Sequence, residues 1–211
     1  MSFPYINVLM IRHGQARAAD GSYGPDTLLS ELGHRQAGET AEKIFTQHNL
    51  SAIYTSPFPR ALQTAQPLVD RLALEPLVDE RLEEFQLPTQ NSVDAQPDVV
   101  IWQPTHRGSP DSETLDEFSA RVVQFMLMLC EHHNEETVAV YTHAGVIDAA
   151  ARWAFGLPTD SIWQHDLPIA NASITELKIW PQGRVKAGAP LYVEFVQVGN
   201  TDHLGGLASE M

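Results

Sequence analysis

Short apolar runs alternate along the chain with longer segments in which apolar residues recur at helical spacing. The apolar runs predict strands at residues 7–11, 52–54, 75–78, 137–141, 173–180 and 191–198. Between them, the spacing predicts helices from Ser30, as N-cap, to about Asn49, and over 59–72, 114–133 and 146–155. Alternating strands and helices are typical of a parallel sheet covered on both faces. The predicted fold class is therefore α/β, a three-layer sandwich with a mostly parallel central sheet covered by helices on both faces.

Residues 85–110 differ in composition from the rest of the chain, because Pro, Gln, Asn, Asp and Ser dominate and no period is sustained. A chain of 211 residues has the length of one good-sized α/β unit. We therefore predict a single domain over 1–211, in which this segment is an excursion between elements and not a linker between two domains.

Basic side chains directly follow the ends of three predicted strands. Arg12-His13-Gly14-Gln15 follows the first strand, Arg60 follows the second at the start of a helix, and His143 follows the strand at 137–141. Ligands collect at the carboxyl ends of strands in open α/β sheets, so these side chains are expected to meet. Arginine binds two phosphoryl oxygens at once, and a neutral imidazole can act as nucleophile or general base. With the carboxylates of 79–84, the pattern predicts a phosphoryl-transfer site.

The charge balance limits the classes of partner. The formal net charge of −14 argues against nucleic acid or an anionic membrane surface as the main partner, since both need a basic face. The single cysteine, Cys130, excludes a disulfide within the chain. We expect a cytoplasmic protein, because no leader or bilayer-spanning run is visible. The adjacent His132 and His133 point in different directions on a helix, which favours a solvated helix end over a metal site.

The motifs around these residues resemble those of the histidine phosphatase superfamily, also called phosphoglycerate mutase-like. The resemblance covers most of the chain, and it depends on the order and approximate spacing of several motifs, each weak alone. These motifs are Arg12-His13-Gly14-Gln15-Ala16, Leu29-Ser30 through Gly33 with Gln36-Ala37, Ser56-Pro57 with Arg60-Ala61 and Gln63-Thr64-Ala65, Arg81-Leu82 with Glu84, Thr142-His143-Ala144-Gly145, and the tail Asn200-Thr201-Asp202-His203-Leu204.

The resemblance implies a role for each basic residue of the site. His13 would be the nucleophile that becomes phosphorylated, while Arg12, Arg60 and His143 would bind the transferred phosphoryl group. Two guanidiniums and an imidazolium can stabilise the charge on the equatorial oxygens without metal or other cofactor. Gln15 is a candidate phosphate ligand as a side-chain donor, or a polar residue bonded to backbone. His13 must be neutral to attack, and we expect His143 to be protonated.

The proton donor is the least defined member of the predicted site. The family's Arg-Leu-x-Glu pattern, matched by Arg81-Leu82, implies that Glu84 is the catalytic general acid. Glu83 is the alternative, because the residues after Phe85 lack the Gly-x-x-Glu-Gly continuation common in the family. A general acid is judged by geometry before pKa.

The excursion at about 85–110 is a candidate lid, because it directly follows the proposed acid. Trp102, His106 and Arg107 could then supply an apolar wall and a second anionic contact. The alternative is a surface loop with Trp102 packed onto the domain.

These observations predict a metal-independent phosphomonoester hydrolase that acts through a phosphohistidine intermediate on a small phosphorylated metabolite. Hydrolysis is preferred over a phosphoglycerate mutase-type transfer because the regions outside the core are short and acidic. The second alternative is a catalytically weak protein that binds a phosphorylated ligand. Neither the substrate nor the oligomeric state follows from the sequence.

Overall fold

A six-stranded mixed sheet forms the centre of the protein. The computed structural model describes residues 4–17, 21, 23–85, 103–107, 112–163, 167–181 and 191–208. The strands are β1 (Ile6–Arg12), β2 (Ala52–Thr55), β3 (Leu77–Val78), β4 (Thr137–Thr142), β5 (Ile174–Trp180) and β6 (Tyr192–Asn200), and their order in the sheet is β3-β2-β4-β1-β5-β6. The pairs within β3-β2-β4-β1 are parallel, whereas β5 is antiparallel to both of its neighbours.

Four α-helices connect these strands. They are α1 (Glu31–Gln47), α2 (Pro59–Leu72), α3 (Leu115–His132) and α4 (Ala144–Ala154). The predicted N-cap of α1 is confirmed, since the Ser30 side chain accepts a hydrogen bond from the backbone N–H of Gly33. Thr114 and Glu117 form a capping box at the start of α3.

Two hydrophobic cores lie on opposite faces of the sheet. Successive strand residues point to opposite faces, so Val8 and Met10 of β1 pack with α3 and α4, while Leu9 and Ile11 pack with α1 and α2. The three-layer α/β arrangement predicted from the sequence is thus confirmed. No helix in the described part of the chain is long and apolar enough to cross a membrane.

The strand ends converge on one edge of the sheet. β1, β2 and β4 pair in parallel, so the residues that follow Arg12, Thr55 and Thr142 lie side by side. β5 runs the other way and therefore begins at this same edge, which brings residues 169–173 next to the end of β1. This edge carries the candidate site.

The third strand is shorter than predicted. It covers only Leu77–Val78, not 75–78, and it is an edge strand of the sheet. Both side chains are exposed, and β3 has a neighbouring strand on one side only within the described sheet. Residues 86–102 and 108–111, most of the candidate lid, lie outside the described residues together with Trp102. The lid stays a prediction.

Candidate active site

The loop that carries His13 is held by its backbone. The His13 N–H donates to the Thr142 carbonyl over 2.9 Å. The Gly14 N–H donates to Thr64 Oγ1 over 3.0 Å, and the Gln15 N–H donates to Gln36 Oε1 over 2.8 Å. Hydrogen bonds to residues of β4, α2 and α1 therefore hold the loop in place.

A glycine is required at the turn after His13. A Cβ atom at Gly14 would lie 2.6 Å from the Gly33 carbonyl oxygen, a separation that real Cβ atoms do not adopt. The backbone of the His13 loop thus packs directly against the first turn of α1.

The Gly14 carbonyl selects the tautomer of His13. His13 Nδ1 lies 2.7 Å from this oxygen, which can only accept, so Nδ1 carries the ring proton. The unprotonated Nε2 then holds the lone pair. Burial lowers the pKa of His13 to about 3, and the nearby Arg60 and Arg12 charges act in the same direction. His13 is therefore a neutral ring near pH 7, as a nucleophile must be.

Two guanidiniums lie beside this ring, at the ends of β1 and of the β2–α2 connection. Arg12 donates from Nη1 to the Ile169 carbonyl over 2.5 Å, and Arg60 donates from Nη1 to the Gly24 carbonyl over 2.9 Å. Burial lowers the pKa of both groups. They nevertheless remain charged, because arginine keeps its proton in proteins.

His143 precedes α4 and is fully buried, with its ring centroid 5.2 Å from that of His13. Its Nε2 lies 2.9 Å from Ser56 Oγ. Burial lowers the pKa of His143 well below its ordinary value, and His13, Arg60 and Arg12 lower it further. This shift favours a neutral ring in the ligand-free site, and protonation of His143 beside a bound phosphoryl group stays a prediction. A Ser56 hydroxyl that donates to Nε2 would leave the ring proton on Nδ1, so a neutral ring can still donate.

Each of the three basic side chains around His13 has a buried nitrogen atom without a hydrogen-bond partner in the described part of the chain. These atoms are Arg12 Nε, Arg60 Nε and His143 Nδ1. A buried donor without a partner costs about 1–3 kcal/mol, and more when it is charged. A phosphoryl group has several acceptor oxygens and a negative charge, which suit unpartnered nitrogen atoms and guanidinium groups. The basic side chains around His13 therefore form a candidate anion site.

Glu84 faces this cluster, and Glu83 does not. Glu84 Oε2 accepts from the Gly145 N–H over 3.1 Å and Oε1 accepts from the Phe85 N–H over 3.0 Å. Burial raises the pKa of Glu84, while these two N–H groups, Arg12 and Arg60 lower it. The pKa of Glu83 is also raised by burial, but its charged neighbours are Arg121, Glu80 and Glu113.

Several contacts at the site carry no clear sequence signal. The Tyr23 hydroxyl lies 3.2 Å from His13 Nε2, although Tyr23 falls in a segment without periodicity. Asn171 donates from Nδ2 to the His13 carbonyl over 3.1 Å. Ser56 belongs to a quoted motif, but its contact with His143 depends on the tertiary fold. Gln15 Oε1 accepts from Ser30 Oγ over 2.8 Å, and its role as a phosphate ligand stays a prediction.

Other residues singled out in the sequence lie outside the site. His132 is exposed, as predicted for a solvated helix end, whereas His133 is half-buried and its ring nitrogens lie 2.7 Å from Tyr54 Oη and 2.7 Å from Glu136 Oε2. No group of three or more His, Cys, Asp or Glu side chains suited to a metal occurs among the described residues. Arg107 lies 3.5 Å from Glu117, at the start of α3.

Several relatives of the chain are phosphatases by name. A putative phosphoserine phosphatase 2 of Hydrogenobacter thermophilus is 28% identical over 180 residues, which are 80% of this chain and 87% of the relative. A glucosyl-3-phosphoglycerate phosphatase of Mycolicibacterium vanbaalenii is 31% identical over 189 residues, 81% of this chain and 83% of the relative. A mycobacterial glucosyl-3-phosphoglycerate phosphatase of known structure superposes with a TM-score of 0.71 at 26% identity, covering 91% of this chain and 97% of that one.

A family model matches most of the sequence. It spans residues 8–188, from β1 to beyond β5, and it describes branch 1 of the histidine phosphatase superfamily. The matched range contains the histidine pair, both arginines and Glu84. The chain belongs to the histidine phosphatase superfamily.

Proposed function

We propose that this protein is a metal-independent phosphomonoester hydrolase that acts through a phosphohistidine intermediate on a small phosphorylated metabolite. One observation carries the proposal: His13, whose Nε2 is unprotonated, is flanked by Arg12, Arg60 and His143, and each of these three side chains has a buried nitrogen atom without a hydrogen-bond partner in the described residues. A nucleophile beside an anion site is what phosphoryl transfer needs.

The reaction would proceed in two displacements. In the first, the His13 Nε2 lone pair forms a bond to phosphorus while the bond to the ester oxygen breaks, and Glu84 gives its proton to the leaving alkoxide. In the second, water attacks the phosphohistidine and Glu84, now a carboxylate, takes a proton from it. The products are the alcohol and inorganic phosphate, and His13 and Glu84 return to their initial states.

Fixed positive charge can serve here in place of a metal. The transferred group passes through a loose transition state whose charge lies on three equatorial oxygens. Arg12, Arg60 and an Nδ1 proton on His143 would donate to these oxygens. Their positions are set before the reaction by the folded backbone, so little reorganisation is required.

The leaving group is proposed to be a small alcohol. The relatives are named for phosphoserine, glucosyl-3-phosphoglycerate and 5''-phosphoribostamycin, all of which are esters of aliphatic hydroxyl groups. An aliphatic alkoxide is a poor leaving group, which agrees with a buried carboxyl group at the site. Hydrolysis is preferred over mutase activity because the net charge of −14 disfavours a second phosphate on the substrate.

The experiment is a screen of small phosphomonoesters with the purified protein, in which release of inorganic phosphate is measured with and without EDTA. We expect turnover of an aliphatic ester and an unchanged rate in EDTA. A strict requirement for added magnesium or manganese would contradict the proposal. Phosphate binding without turnover would favour the phospholigand-binding alternative, and transfer to an added alcohol in preference to water would favour the mutase.

Gly145→Ala tests the contact between α4 and Glu84. A Cβ atom there would lie 2.3 Å from Glu84 Oε1, so the carboxyl group must move. We expect the rate on an alkyl phosphate to fall on the order of 10²-fold, the lower end of a general-acid contribution. p-Nitrophenyl phosphate should react nearly as before, because its leaving group needs no proton.

Gly38→Ala in α1 is the matched control. A Cβ atom at Gly38 meets nothing within 4 Å, and alanine favours the helix by about 1 kcal/mol. This variant should keep both rates. Equal losses on both substrates in Gly145→Ala would show that the substitution disturbs the site generally and not through the proton donor.

A further inference from the structure

Tyr23 covers the nucleophile. Its hydroxyl oxygen lies 3.2 Å from His13 Nε2. Nδ1 carries the ring proton of His13, because it faces the Gly14 carbonyl, so Nε2 is an acceptor. The Tyr23 hydroxyl therefore donates to the lone pair that the reaction uses.

The tyrosine ring lies between the site and solvent. The Arg60 guanidinium carbon is 4.9 Å from the centre of this ring, and Arg60 Nη1 also donates to the carbonyls of Gly24 and Pro25 over 2.9 and 3.2 Å. Tyr23 nevertheless remains 57% exposed. One face of the ring thus contacts the phosphate-binding arginine while much of the rest contacts water, as expected at the mouth of a pocket.

The hydroxyl occupies the place that phosphorus must take. In a reactive complex the attacking and attacked atoms are about 3–3.5 Å apart along the lone pair. The Tyr23 oxygen is already at 3.2 Å from Nε2. A phosphoryl group therefore cannot approach His13 until this hydroxyl has moved aside, and the exposed side of the ring leaves room for that movement.

We propose that Tyr23 determines specificity by two opposed effects: its hydroxyl competes with the phosphoryl group for His13, and its displaced ring contacts the leaving group. A phosphoryl group without a carbon skeleton must displace the hydrogen bond between the Tyr23 hydroxyl and His13 Nε2, and it gains no contact with the ring in return. A substrate with a flat or apolar carbon skeleton packs on the displaced ring, and this contact offsets the free energy of the lost hydrogen bond. The site would then favour such esters over methyl phosphate and over free inorganic phosphate, which limits inhibition by the product.

The hydroxyl and the ring can be removed separately. Tyr23→Phe keeps the ring, and loss of the competing hydrogen bond should tighten inorganic phosphate binding about 2- to 12-fold, from the usual free energy of one such bond. Tyr23→Ala should tighten phosphate similarly, but it should also reduce the preference for phenylphosphonate over methylphosphonate by about 2- to 12-fold, from the usual contribution of an aromatic contact. Tyr23→Phe should keep that preference.

Titration calorimetry with phosphate and the two phosphonates measures these affinities without turnover. Tyr5→Phe is the matched control, because Tyr5 precedes β1 and lies against Trp180 at the opposite end of the sheet. It should change nothing. Unchanged or weaker phosphate binding in Tyr23→Phe would overturn the competition, and an unchanged phosphonate preference in Tyr23→Ala would overturn the ring contact.

The inference rests on the proposed function only for the identity of the ester. If no ester is hydrolysed but Tyr23→Phe tightens phosphate, the hydrolase proposal fails and the competition for His13 stands. If esters are hydrolysed but Tyr23→Phe binds phosphate as wild type does, the hydrolase proposal stands and the competition for His13 fails.

Discussion

Replacing His13 with alanine is expected to reduce turnover to the background of the assay while the protein stays folded. The side chain supplies the bond to phosphorus, whereas the loop around it is held by backbone hydrogen bonds to Thr142, Thr64 and Gln36, which the substitution leaves in place. Rapid quench of the wild type in alkaline denaturant during turnover should trap phosphate in a form that is stable in base and is lost on later exposure to acid. The variant should trap none.

The control is His34→Ala, which removes an exposed histidine of α1. It should keep full activity and the same trapped phosphate. Circular dichroism and urea unfolding of both variants would separate lost chemistry from lost structure. Phosphate trapped on a serine or aspartate of the wild type would contradict the mechanism.

Glu84→Gln should slow hydrolysis of an alkyl phosphate by about 10²–10⁴-fold, the usual contribution of general acid catalysis. Glutamine keeps the size of the side chain and can still accept from the Gly145 N–H, but it has no proton to give to the alkoxide. p-Nitrophenyl phosphate should be affected much less. Steady-state kinetics on the two esters measures the difference.

The pH profile adds an independent signature of Glu84. Its folded-state pKa is raised by burial, and the acid acts in its protonated form, so alkyl phosphate hydrolysis should fall as pH rises through that pKa. Glu84→Gln should lose this alkaline fall. His13, with its pKa lowered to about 3, stays neutral throughout the range and should not set it.

Glu83→Gln is the matched control, because Glu83 precedes Glu84 and faces Arg121. It should change both rates little and keep the alkaline fall. If the two replacements act in the reverse order, the register taken from Arg81-Leu82 is wrong and Glu83 is the donor.

The sequence predicted the elements whose side chains are buried on a regular period. β1 and β4 are apolar on both faces, and Ser30 marks the start of α1, so their positions were correct within one or two residues. The length of β3 was overestimated because its apolar residues are exposed on an edge strand. A local pattern cannot distinguish an apolar residue in the core from one at an uncovered edge.

The basic residues of the site were predictable because parallel strands bring their ends together. The residues that form hydrogen bonds with these side chains or shift their pKa values were not predictable. Tyr23 and Asn171 reach His13 through tertiary contacts from segments without periodicity. The lowered pKa of His143 could not be predicted, because it depends on burial and on the neighbouring cations, which a sequence does not show.

The position of β1 in the sheet also fixes when the site can assemble during synthesis. β1 is made before the other five strands of the sheet, yet its two partners are β4 at Thr137–Thr142 and β5 at Ile174–Trp180. Such pairing between distant parts of a chain slows folding and requires most of the chain to be present. A nascent chain that already contains Arg12, His13 and Arg60 therefore still lacks the scaffold that orients them. His13 is made early, but its surroundings are completed only after β5 has left the ribosome.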